Sequence, residues 1–427
     1  MDNEAPATRP ERQQKSPRLG VFMSGMIAGI IFLILVNCAA GYFLPGSLPP
    51  LGRPTQAPGQ SADSPLTPVQ DKLTKIFDVL DRNYVNEYDK DRVIENMYQG
   101  LVYGVGDPYT TYMDKDSYGR FQESTEGTYA GIGVVVSPDE ATNSIVVVVP
   151  FEGYPGEKAG ILPGDKIIRV NGYDVFGDTL DEAVSMMKGE PGTSVKITVS
   201  RETEGVAAPM EFNIIREKID VPTVSHKMLE GGIGYIRITQ FDRVTFSQFK
   251  SAFDSLNADG AKGLIIDLRN NPGGLLNIVT SITDLLVPKK SVIVYTEDKQ
   301  GKREYTYSRE GSKDIPLIVL VNGSSASASE VLSGAVKDLG AGELLGTRTF
   351  GKGLVQNIFE LKDGSALKVT IAKYYTPSGT CIQGIGIEPD YVVEMSDELS
   401  VRISSLSLDE DVQLKRALEI MEEKTAD

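Results

Sequence analysis

The segment PLIVLVNGSSASASEVLSGAVKDLG, residues 316–340, reads as a strand, a turn and a helix in succession. Leu317 to Val321 is an uninterrupted apolar run, as expected of a strand buried on both faces. Asn322-Gly323 turns the chain. Val331, Leu332, Ala335, Val336 and Leu339 then fall on one helical face. A hydroxyl on such a strand-to-helix turn sits at the mouth of an α/β sheet. There the first N–H groups of the helix can stabilise a developing oxyanion. Ser327-x-x-Glu330 is also a capping box, so Ser327 is open to a purely local role. The small residues from Ser324 to Ser329 allow close approach of a ligand to the backbone.

Two further segments have the same character. DLRNNPGGLLN (267–277) is a strand end, a Gly-rich turn and a helix start, or simply a βα turn. GTRTFGKGLVQ (346–356) comes close to a phosphate loop but has Gly353 where Ser or Thr should hold magnesium. Its lysine, Lys352, has only uncharged neighbours, from Phe350 to Val355. A lysine with an ordinary pKa near ~10.4 serves as a general base at neutral pH only if desolvated, and a ~3-unit shift costs about 4 kcal/mol. A surface lysine in a glycine turn is the other reading.

Composition narrows the chemistry. The 427 residues carry 43 Lys+Arg against 59 Asp+Glu, a net charge of −16, which disfavours nucleic acid as a partner. Two Cys and one His exclude a Cys/His zinc site and a disulfide scaffold. Any base in an active site is therefore expected not to be His226. No cofactor and no metal is implied.

The chain divides by pattern. Residues 1–20 are basic, and the apolar run 21–43 is long enough to span ~30 Å of hydrocarbon. It is expected to be a single transmembrane helix with a cytoplasmic N-terminus, the remainder being exported. A cleaved signal peptide is the competing reading. Residues 44–66 are a Pro-rich linker. Residues 67–120 are a helical N-terminal region, with helical spacing of Leu73, Ile76, Phe77, Leu80, Val93, Met97 and Leu101, broken by GDPYTTYM (106–113). Residues 121–219 form a small β-rich domain, in which YAGIGV (129–134) offers successive N–H groups as a nest for a peptide carboxylate. Residues 220–395 alternate apolar strands with helices and predict a parallel α/β sheet. An acidic tail, 396–427, ends in a helix around 409–423. The helical segments at both ends are candidate homodimer contacts.

Taken together, SASASE (325–330), TFGKGLVQ (349–356), DLRNNPGG (267–274), GDPYTTYM and YYTPSGTCIQGIGIEPD (374–390) resemble the carboxyl-terminal processing peptidases, also called tail-specific proteases. The resemblance implies a multidomain α/β protein with a PDZ domain and a crotonase/ClpP-like catalytic core. It implies a serine endopeptidase using a Ser–Lys dyad. Carried over by motif, Ser327 is the nucleophile, Lys352 the base and Gln356 the residue that orients the lysine. The oxyanion hole is expected from the N–H groups of Ala328 and Gly273. Gly131, Ile132 and Gly133 are expected to bind the carboxylate of protein substrates with accessible apolar C-termini. The setting implied is a bacterial cell membrane. A PDZ-based scaffold with an inactive core is the alternative.

Overall fold

The computed structural model describes residues 66–426, except residue 204 and residues 312–314. One of its sheets has six strands in the order 224–229, 233–238, 263–267, 317–321, 343–346 and 391–392. The first pair is antiparallel and the other four pairings are parallel. Strands Gly263–Asp267 and Leu317–Val321 are buried at every residue, which explains their unbroken apolar sequence. One face, with Ile236, Ile266 and Val319, packs on helices Thr245–Ala258, Leu276–Asp284 and Ala328–Asp338. The other, with Tyr235, Ile265, Ile318 and Leu345, packs on helix Val412–Thr425 through Leu414, Ala417, Leu418 and Met421. The acidic tail thus ends in a helix that completes the core, and full burial of each such Leu or Met contributes about 1.5–3 kcal/mol.

Arg269, wholly buried, fixes this helix to the 267–274 turn. It bridges Asp267 at 2.7 Å and Asp411 at 2.7 Å, and Tyr235 donates a further bond to Asp267. Breaking such a buried network by removing one partner is strongly destabilising.

A second, five-stranded antiparallel sheet lies beside the first. It contains Thr111–Met113, Val292–Asp298, Arg303–Tyr307, Leu354–Glu360 and Ala366–Tyr375. Thr111–Met113 pairs antiparallel with the start of Ala366–Tyr375, Thr111 facing Lys368 and Met113 facing Ala366. The helical N-terminal region is therefore stitched into this second sheet just after GDPYT. Helices Thr67–Asn83 and Lys90–Tyr103 precede it, and neither has a buried residue.

The β-rich unit has strands 134–139, 144–150, 166–170, 194–203 and 206–215 in that spatial order, with Tyr173–Asp174 against 166–170. Alternate residues Ile145, Val147, Val195, Ile197 and Val199 point into its own core. The chain enters and leaves this unit through a two-stranded ribbon, Thr128–Gly131 against Glu217–Asp220.

One part of the expected architecture is corrected. Among the described residues no helix is long and apolar enough to cross a membrane. The 17-residue helix Thr67–Asn83 carries six charged residues in its sequence and falls short of the ~20 apolar residues a span needs. The described residues form a β-rich unit and an α/β core and contain no transmembrane helix, and the run 21–43 lies outside them.

Candidate active site

The turn at 322–327 is built from short polar side chains that satisfy the backbone where it leaves the sheet. Asn322 Oδ1 accepts from the Asn270 N–H at 3.0 Å and the Ser324 N–H at 3.1 Å. Ser325 Oγ donates to Leu268 O at 2.9 Å, tying this turn to the 267–274 turn. Ser327 follows with φ 54° and ψ −113°, on the positive-φ side that a non-glycine residue rarely adopts. Such a conformation costs about 1–3 kcal/mol and persists only where the surroundings over-determine it. Residues 328–336 of the following helix are all buried, and Ser327 itself is 1% exposed.

Glu330 is the residue the sequence could not place. Its carboxylate is fully buried and accepts four hydrogen bonds. Oε2 takes the Ser327 N–H at 2.9 Å, the Glu330 half of the expected capping box, and the Lys352 N–H at 2.8 Å. Oε1 takes the Thr349 hydroxyl at 2.6 Å and the Gly351 N–H at 2.7 Å. Burial raises its pKa, and these four donors oppose the rise.

Lys352 is 0% exposed, and its Nζ has no hydrogen-bond partner among the described residues. The amine lies 4.8 Å from the ring centroid of Tyr109. Burial, helped by the charge of Lys368, pushes its pKa down to about 7, while Glu330 and Asp107 pull upward. The flanking Gly353 is required sterically, since a Cβ there would lie 2.5 Å from Gln383 N. Tyr374, also buried, has its hydroxyl pushed up to about 12 by burial, and the Ser327 hydroxyl partly offsets this. Gln356 is buried on the next strand, but its Nε2 donates to Leu354 O at 3.3 Å. The expected bond between Gln356 and the lysine amine is not formed.

Gly273 stands against Ser327. With φ +107°, a Cβ on it would lie 2.7 Å from Ala326 O and 2.9 Å from Ala328 N. Its own N–H, however, is donated to Asn271 Oδ1 at 2.9 Å. Asn271 also donates to Ile238 O at 2.9 Å and accepts the Ala326 N–H at its carbonyl. The Gly273 and Ala328 backbones are thus brought together, with the Gly273 donor engaged by Asn271.

In the β-rich unit, strand Val134–Asp139 is an edge of its sheet. It borders a groove of about 380 Å³ lined by Gly131, Ile132, Val134, Val136, Val184 and Met187. An edge strand beside an apolar groove can accept a peptide as an added strand. Of the expected carboxylate cradle, Gly131 and Ile132 line the groove directly, and Gly133 follows at φ +72°. Lys188 lies at one end of the groove, bridged to Glu123. His226 is on an exposed outer strand, away from these groups.

Comparison with known proteins agrees with this construction. A model of peptidase family S41 matches residues 232–393, a PDZ-domain model matches 146–201, and a model of the activating protease CtpB N-terminal domain matches 53–117. The chain is 40% identical over 336 residues to a carboxy-terminal-processing protease of Bartonella bacilliformis, covering 76% of this chain and 75% of that one. It is 36% identical over 373 residues to the carboxy-terminal processing protease CtpA of Bacillus subtilis, covering 86% and 78%. A Bacteroides fragilis structure assigned to the S41 proteases shares the fold with a TM-score of 0.53 at 16% identity, over 86% of this chain and 99% of that one.

Proposed function

Because this chain belongs to peptidase family S41 and is a serine-type peptidase of the carboxy-terminal processing kind, we propose that it cleaves proteins with a Ser327–Lys352 dyad after its PDZ domain has engaged their C-termini. In this reading residues 121–219 are the PDZ domain and residues 220–395 the catalytic core. The observation that carries the proposal is the shared anchoring of a strained serine and a buried, unpartnered lysine on Glu330.

Neutral Lys352 takes the Ser327 proton as Oγ attacks the peptide carbonyl, then returns it to the leaving amine. A pKa near 7 lets the same group act as base and as acid at neutral pH. Water, activated by Lys352 in its turn, hydrolyses the acyl-enzyme. The Ala328 N–H at the helix start is one oxyanion donor. Gly273 supplies the second once its N–H turns from Asn271 to the substrate. Gln356 would orient the lysine only after its side chain leaves Leu354 O. The PDZ groove binds the substrate tail along Val134–Asp139, with the carboxylate at Gly131–Gly133. The exposed face of helix Thr67–Asn83, with Val69, Ile76 and Val79, is a candidate homodimer contact.

The test is digestion of an unstructured protein with an apolar C-terminus, with metals chelated, by the full chain and by Ser327→Ala and Lys352→Ala. Cutting by the wild type alone supports the dyad. Cutting by Ser327→Ala refutes it. The same substrate with an amidated C-terminus should be cut more slowly if the carboxylate is read in the PDZ groove. Equal rates refute that part.

A further inference from the structure

GDPYT, residues 106–110, and strand Ala366–Tyr375 are far apart in sequence yet both pack beside Lys352. Thr110 Oγ1 accepts the Thr370 N–H at 3.1 Å and donates to Asp107 Oδ2 at 2.6 Å. Asp107 Oδ1 accepts the Tyr109 N–H at 3.1 Å. The Asp107 carboxylate is thereby held against the strand that carries Lys368, and the next residue along, Thr111, pairs with Lys368. Tyr109, between them in sequence, has its ring 4.8 Å from Lys352 Nζ. Lys368 is 5% exposed and Lys352 is 0% exposed, so two lysines share a region withdrawn from water, and the Asp107 carboxylate beside them is half-buried.

We propose that Asp107 and Lys368 are electrostatic positioning residues that set the pH at which Lys352 becomes neutral. The inference rests on Lys352 being the base. A buried charge acts at low effective dielectric, so the charged groups around it weigh heavily. A lysine beside a second cation, in a desolvated pocket, is a recognised route to an amine that is neutral at physiological pH. The groups facing Lys352 are Lys368 from strand 366–375, Asp107 and Tyr109 from the 106–110 segment, and Glu330 from helix 328–338. Glu330 already serves four donors. Burial pushes Lys368 down to about 8, and Asp107 pulls it upward.

The signs are opposite. Lys368 disfavours a proton on Lys352, and Asp107 favours one. Activity that needs neutral Lys352 rises with pH through its pKa. Removing the Lys368 charge therefore moves the acidic limb of kcat/KM to higher pH, and removing the Asp107 charge moves it lower.

The experiment is the pH profile of kcat/KM for the full chain, Lys368→Met, Lys368→Arg and Asp107→Asn, with folding checked by circular dichroism. The limb is expected to rise by about one pH unit in Lys368→Met and to fall by a similar amount in Asp107→Asn. Lys368→Arg, which keeps the charge, should stay near the wild type. Shifts in one common direction, no shift in either charge-removing variant, or an Arg variant that moves as far as Met would overturn the inference. A wild type with no acidic limb, or an active Lys352→Ala, would instead defeat the assignment of Lys352 as base.

Discussion

Ser327 and Lys352 hang from one oxygen: Glu330 Oε2 accepts the backbone N–H of the first at 2.9 Å and of the second at 2.8 Å. The spacing of Ser327 and Lys352 is thus set by a buried carboxylate rather than by contact between their side chains alone. Glu330→Gln would turn an amide N–H₂ toward donors or leave donors unpaired, at about 1–3 kcal/mol for each unsatisfied group. We expect kcat to fall at least about 100-fold while the fold survives, because a small misplacement of reacting groups costs that much. Steady-state kinetics beside a thermal melt checks this. Unchanged kcat would contradict it.

Lys352 stores energy as well as reactivity. Bringing a lysine from its ordinary range to about 7 costs on the order of 5 kcal/mol. Its folded pKa lies below its unfolded one, so the unfolded chain binds more protons between the two. The penalty is full below about pH 7 and fades toward pH 10. Lys352→Met should therefore abolish cleavage yet raise Tm, with a larger gain at pH 7 than at pH 9.5. A gain that grows with pH would contradict the assigned environment.

The positive φ of Ser327 makes a stability prediction independent of catalysis. Ser327→Gly and Ser327→Ala both remove the hydroxyl, but only glycine accepts φ 54° without strain. We expect the glycine variant to be the more stable by about 1 kcal/mol, both being inactive. Equal denaturant midpoints would show that the turn is unstrained.

Gly273 is tested by adding one carbon. A Cβ there would meet Ala326 O, Ala328 N and Ser327 Cβ, all within 2.9 Å. Gly273→Ala should push the 322–327 turn away and reduce kcat by about 100-fold or more, since this displaces the proposed oxyanion donor. A variant within a few-fold of wild type would move the second donor elsewhere.

What the sequence disclosed was contiguous. The strand, turn and helix of 316–340 were legible because an apolar run, Asn-Gly and a helical face follow one another. The core helix 412–425 was legible as a helix, but nothing local says that Leu414 and Met421 close the second face of the sheet. The partnership of Glu330 with Lys352 was invisible, since it joins a helix start to a later loop through backbone N–H groups that any residue has. The environment of Lys352 depends on the Tyr109 ring and the Lys368 charge, on a turn and a strand brought in by tertiary pairing. By pattern alone GDPYTTYM is a break in a helical region, and although it contributes to the family resemblance, its place beside Lys352 was hidden for the same reason. Gln356 illustrates the converse: the motif assigns it to the lysine, while its side chain here satisfies a neighbouring carbonyl.

The central claim is that Ser327 is the acylated residue and that Lys352 activates it. The most direct measurement is acid-quenched mass mapping of the full chain after mixing with an activated p-nitrophenyl ester of a short apolar peptide. The account predicts one acyl adduct, on Ser327, absent from Ser327→Ala and from Lys352→Ala. An adduct on any other residue, or acylation of Ser327 undiminished in Lys352→Ala, would contradict it.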